Sequence, residues 1–186
     1  MRRRNVDTMV LSALLALALL IPGAEALCAQ DGPVFVYVVR HAERADDGLA
    51  PDRMLDDPPL SEAGRARARQ LAELLRGVDL TGVHSTDYER TRSTAQPLSA
   101  AHGLELEIYD AGDIGALAER LRASPGTHVV VGHSNTGPAL VEALGAEPGS
   151  PIDALEYDRV YVVVVLPGGA TGSAVFRYGS PYRGTP

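Results

Sequence analysis

Lysine is missing from this chain: all 17 basic residues among its 186 are arginine. Tryptophan is absent too, phenylalanine occurs twice, and there is one cysteine, Cys28. A single thiol excludes any intrachain disulfide, whatever the redox compartment. Against the arginines stand 24 acidic residues, for a net charge of −7. Without a basic face, neither nucleic acid nor an anionic membrane is expected as a general partner. The lack of lysine itself reads as a coding bias toward arginine rather than a functional device.

Long apolar runs are also lacking. The longest, Met9 to Ile21, falls short of the roughly 20 residues that span a bilayer. It follows Arg2-Arg3-Arg4 and precedes the small-x-small pattern Ala24-Glu25-Ala26, so residues 1–26 are expected to be a cleaved secretory signal peptide, with cleavage after Ala26 or Ala29. Cys28 invites a lipoprotein reading, but Leu27 stands where such sites need a small residue. Residues 27–186 then form one ordinary domain with net charge −8, long enough for a sizeable core. The expected location is periplasmic or secreted, with no stable membrane association once the signal is removed.

Apolar β-branched runs alternate with helical periodicity along this domain. Val34 to Val39 reads as a strand buried on both faces, ending at Arg40-His41. An Asp-, Gly- and Pro-rich loop spans 45–59, and a helix capped by Ser61 runs to Gly77. Gly82 to Ser85 is a short strand. The next helix, Tyr88 to Ala101, should kink or end at Pro97. Leu104 to Tyr109 alternates as an edge strand, and Ile114 to Ala123 is a third helix. His128 to His133 repeats the design of an apolar strand ending in histidine, and Thr136 to Leu144 is a helix stopped by Gly145. Arg159 to Leu166 and Ser173 to Tyr178 form a closing hairpin, after which the tail is expected to fray. The fold class is therefore α/β: a single-domain, three-layer α/β/α sandwich with a mostly parallel central sheet.

Three strand ends carry candidate chemistry: Arg40-His41, Ser85 with Arg90 beyond it, and Gly132-His133. In a parallel sheet such ends share one edge, where ligands bind. Two guanidinium forks match the oxygens of a phosphoryl group and hold nearby imidazoles neutral. A neutral imidazole can attack phosphorus while its neighbour donates to the phosphoryl oxygens. No His-x-x-x-His or Glu-flanked pair occurs, and two arginines beside the imidazoles would repel a cation, so neither metal nor cofactor is expected.

The run Arg40-His41-Ala42-Glu43, the segment Ser85 to Ala95 that includes Arg90, and Val131-Gly132-His133-Ser134-Asn135 resemble the signatures of the histidine phosphatase superfamily, in its phosphoglycerate mutase-like branch. Leu60-Ser61-Glu62-Ala63-Gly64 matches the usual start of that family's first helix. The resemblance runs from about Val34 to Leu166. It implies that Arg40, His41, Arg90 and His133 form the phosphate pocket and that His41 is the residue phosphorylated. Ala42 stands where glycine is common and is expected to be tolerated.

The acid that protonates the leaving alcohol is not assigned, with Asp110, Asp113 and Glu43 as candidates. His84 is a candidate for touching substrate at the pocket edge; His102 is expected at the surface and His128 in a structural role. The expected activity is hydrolysis of phosphomonoesters by an exported phosphatase acting on a small phosphorylated substrate or a phosphoprotein. Alternatives are a protein phosphohistidine phosphatase and a non-catalytic phospho-ligand binder. Mutase activity fits poorly with export and with a chain too short for the loops of dedicated mutases. Loops 45–59 and 110–117, which should select substrate, carry no readable code, and nothing in the sequence sets the oligomeric state.

Overall fold

Val34–Arg40 forms β1, a central strand of a six-stranded sheet, in a computed structural model that describes residues 32–184. The expected signal peptide, both cleavage positions and Cys28 lie outside the described residues. The other elements are α1 (Glu62–Leu74), β2 (Gly82–Ser85), α2 (Glu89–His102), β3 (Leu106–Ile108), α3 (Ile114–Arg122), β4 (Gly126–Gly132), α4 (Thr136–Ala143), β5 (Arg159–Val165) and β6 (Thr171–Arg177). The sheet order is β3-β2-β4-β1-β5-β6.

Pairings β3–β2, β2–β4 and β4–β1 are parallel, whereas β5 runs antiparallel to both β1 and β6. The sheet is thus mixed, with β5 running against the other five strands. The expected closing antiparallel hairpin is present, and its first strand, β5, is the one that runs against the rest of the sheet. β5 is reached from β4 through α4 and the loop Gly145 to Asp158.

The valines of β1 divide between two cores. Val34, Val36 and Val38 pack with Leu117 and Leu121 of α3 and Leu140 and Val141 of α4. Val39 faces Leu71 of α1 and Ala95 and Leu98 of α2 on the other side. These two apolar layers produce the expected sandwich and leave the carboxyl ends of β1, β2 and β4 along one edge.

Two expectations about chain ends and breaks are corrected. Pro97 does not end α2, which continues to His102 because Leu98 and Ser99 beyond the proline are buried and Gly103 caps the helix in the left-handed conformation. The tail does not fray from Gly179. Arg67 donates to the carbonyls of Tyr178 and Ser180 at 2.8 and 2.9 Å, and the Tyr182 amide donates to Asp158 at 2.9 Å.

Candidate active site

The main chain where β1 ends is pinned on three sides. The His41 amide donates to the Gly132 carbonyl at the end of β4, and the Ala42 amide donates to Thr94 Oγ1 at 3.0 Å. The Glu43 carbonyl accepts from the Ser61 amide, and a Cβ on Gly64 would overlap that carbonyl oxygen, so only glycine lets α1 start this close to β1. Ala42 is fully buried against Leu60 and Ala68, so its methyl is accommodated. At β4, a Cβ on Gly132 would stand 2.7 Å from both Thr136 Oγ1 and the Tyr109 hydroxyl.

Arg40, His41, Arg90 and His133 all open onto one cleft of about 350 Å³, with Tyr88, Ala111 and Asn135 among its other walls. The two imidazoles lie 5.4 Å apart, edge to face. His41 Nδ1 lies 2.8 Å from the Ala42 carbonyl oxygen, which can only accept. The Nδ1 atom therefore carries the proton of the neutral ring, and Nε2 is left with its lone pair.

His133 is fixed through a hydroxyl relay. Its Nε2 is 3.0 Å from Thr86 Oγ1, which is 2.9 Å from Thr91 Oγ1. Thr91 has one proton and faces the carbonyls of Thr86 and Tyr88, so it donates there and accepts from Thr86. Thr86 then accepts from His133 Nε2–H.

Burial lowers both imidazole pKa values, and the nearby guanidiniums lower them further. His41 falls from its ordinary 6.5 to about 3, through burial first and then Arg40, His133 and Arg90. His133 falls to about 4, through burial, Arg90 and Arg40. Both rings are neutral at pH 7.

Each arginine is anchored by part of its fork. Arg40 NH1 donates to the carbonyls of Asp153 and Glu156 at 2.9 and 3.1 Å, and its guanidinium lies 4.1 Å from the centre of the Tyr157 ring. Arg90 NH1 donates to Asp57 at 3.1 Å, and its guanidinium stacks 4.4 Å from the Tyr88 ring centre. The Nε–H of each is buried with no partner among the described residues. Both arginines line the cleft together with the two imidazoles, and two fixed positive charges there mark a place for an anion.

The family model described as Histidine phosphatase superfamily (branch 1) matches residues 36–111. Over those residues, which include Arg40, His41 and Arg90, the chain is similar to that family.

Among curated relatives, the "Probable phosphoglycerate mutase GpmB" of Citrobacter koseri is 34% identical over 89 residues, which is 46% of this chain and 41% of that protein. The chain thus spans about 41% of the length of such relatives. Among solved structures, the protein histidine phosphatase SixA complexed with tungstate superposes with TM-score 0.59 at 20% identity, covering 77% of this chain and 96% of that one. A phosphoglycerate mutase from Bacillus anthracis gives TM-score 0.59 at 16% identity, covering 80% and 94%. At these identities the structural likeness concerns the fold.

The structure separates the remaining candidate residues. Glu43 is held by Arg67 at 2.9 and 3.0 Å, and Asp113 caps α3 by accepting from the Ala116 amide at 3.0 Å. Neither lines the central cleft. Asp110 accepts from the Gly112 amide and lines an adjoining cleft of about 420 Å³, which shares Tyr88 and Ala111 with the central one. Ser85 is fully buried, with its hydroxyl on the Thr86 carbonyl.

His84 is corrected from a pocket-edge residue to a buried one: its Nε2 is 3.2 Å from His128 Nδ1, and His128 Nε2 donates to the Ser124 carbonyl. The strand alternation that delivers Ser85 toward the edge turns His84 to the face of α3. His102 ends α2, away from the cleft. Tyr88, Tyr157, Asp57 and the Thr86–Thr91 pair were not anticipated. Tyr88 and the threonines could have been found inside the matched motif; nothing local marks Tyr157, which is 117 residues from Arg40.

Proposed function

We propose that this chain is an exported phosphatase that hydrolyses phosphomonoesters through a phosphohistidine on His41. The observation that carries the reading is the meeting of Arg40 and Arg90 with His41 and His133 in one cleft, where the His41 Nδ1–H is committed to the Ala42 carbonyl.

In the proposed reaction, His41 Nε2 attacks phosphorus and the bond from phosphorus to the leaving oxygen breaks. That oxygen takes a proton from water or a carboxyl group. Water then attacks the phosphohistidine, the P–N bond breaks, and His41 is restored as phosphate leaves. Arg40 and Arg90 neutralise the equatorial oxygens throughout. His133, brought close to a dianion, gains a proton more readily than in the empty cleft and donates it as a hydrogen bond.

Enzyme incubated with an aryl phosphate and rapidly denatured at alkaline pH should carry an acid-labile, base-stable phosphoryl group on His41. His133→Ala should slow its formation without abolishing it, and His41→Ala should carry none. Label on His133 or an aspartate, with turnover kept in His41→Ala, would refute the mechanism. Activity should withstand EDTA and fall with vanadate. The tungstate in the SixA complex makes that oxyanion a reasonable second inhibitor.

A second reading, dephosphorylation of phosphohistidine on proteins, is favoured by one feature: no carboxyl group lines the central cleft. A phosphoramidate leaving group needs less acid assistance than an alkoxide. Asp110 in the adjoining cleft decides between the two. If it serves as the acid, Asp110→Asn slows alkyl phosphates much more than aryl phosphates; equal rates on both in the variant and wild type favour the phosphohistidine reading.

A further inference from the structure

The two edges of the sheet differ in how they are protected. At one, β3 is three residues long and carries Glu107, with Glu105 just before it. A short acidic strand discourages pairing with another chain. At the other, β6 has seven residues, no proline and one charge, Arg177, which is spent on Glu156 and Asp158 at 2.8 and 2.5 Å. All but its first residue are exposed, Val175 and Phe176 by 50% and 58%. No described strand pairs with its outer side.

The hydrogen-bond phase of that outer side follows from the hairpin. The Leu166 amide donates to Ala170 and the Tyr178 amide to Asp158, so the in-phase positions Gly172, Ala174 and Phe176 exchange bonds with β5. Thr171, Ser173, Val175 and Arg177 therefore direct their N–H and C=O groups outward.

We propose that β6 pairs antiparallel with β6 of a second copy of this chain, about a two-fold axis at Ala174, making one continuous sheet. This register places Thr171 opposite Arg177 and Ser173 opposite Val175, so every outward group meets an outward group. The same register sets Phe176 beside Gly172 of the other copy, where a bulky ring needs a neighbour without a side chain. No like charges face each other. The strand is thus complementary to itself in charge and size, which is what an isologous interface requires.

Sedimentation velocity on the purified full chain should reveal a reversible dimer of twice the chain mass. Ser173→Pro removes one outward N–H and leaves the β5 ladder intact, so it should shift the chain to monomer with an unchanged circular dichroism spectrum. Independently, Ala174→Cys in a Cys28→Ser background should form a covalent dimer under mild oxidation. Opposed residues of a non-hydrogen-bonded pair have Cα atoms about 4.5 Å apart, within disulfide range. A wild-type chain that stays monomeric at about 100 μM, or a dimer in which Ala174→Cys fails to cross-link, overturns the proposal. Failure of Ser173→Pro to fold leaves the cross-link as the deciding measurement.

Discussion

Arg90 touches Asp57 through NH1 and Tyr88 through its planar face, and leaves Nε–H unpaired and buried. Lysine has neither the plane nor a second donor at that position. Arg90→Lys is therefore expected to lose about 10² in kcat/KM on an aryl phosphate, the effect of one missing transition-state donor. Wild-type turnover in a folded variant would place Arg90 outside the reaction. The four residues named from the motifs meet in one cleft because the sequence carries them at strand ends and helix starts, which a sheet edge gathers regardless of the loops between. Their supports were not legible. Tyr157 and the Asp153 and Glu156 carbonyls reach Arg40 from a segment more than 110 residues away, and the outer loop residue Asp57 reaches Arg90 from 33 residues away.

At the scale of elements, the site depends on how closely α1 and α2 approach the end of β1. Thr94 accepts from the Ala42 amide and donates to the Arg90 carbonyl, tying the turn that presents His41 to the helix that presents Arg90. Gly64 lets α1 abut the Glu43 carbonyl. Gly64→Ala should destabilise the domain by about 1–3 kcal/mol, the usual cost of forcing an atom into a packed contact. A urea midpoint unchanged from wild type would contradict that contact. The sequence pattern found the four α-helices and six strands of the described residues, most of which bury an apolar face, and missed the short 3-10 helix Pro51–Arg53, which buries none. Of the two outcomes expected at Pro97, a kink or an end, the end does not occur, because burial of Leu98 and Ser99 outweighs one lost backbone bond. Which strand of the closing hairpin would run against the sheet was not legible, since a strand buried on both faces has the same valine-rich composition in either direction.

Across the whole molecule, three imidazoles are buried neutral. His41 and His133 do so for the site, and His84 does so beneath α3, its pKa lowered to about 4 by burial, His128 and Arg120. The exposed Glu107 carboxylate, 3.4 Å from His84 Nδ1, is too solvated to reverse this. On unfolding, each ring returns to about 6.5. A folded pKa below the unfolded one means that the unfolded chain binds the extra protons, so stability is complete above about pH 6.5 and declines as pH falls toward 4. Each imidazole contributes up to about 1.4 kcal/mol per pH unit within that window. Asp46 and Glu156, also held below their ordinary values by their arginine partners, lose their contributions in the same direction but only below about pH 4.5. The melting temperature should therefore drop between pH 7 and pH 4.5. The drop should be smaller in His84→Gln, which keeps a hydrogen-bonding side chain beside His128 but has no proton to gain, and which leaves the cleft untouched. Calorimetry giving the same melting temperature at both pH values, or equal drops in wild type and His84→Gln, would show that His84 is not held neutral by the fold.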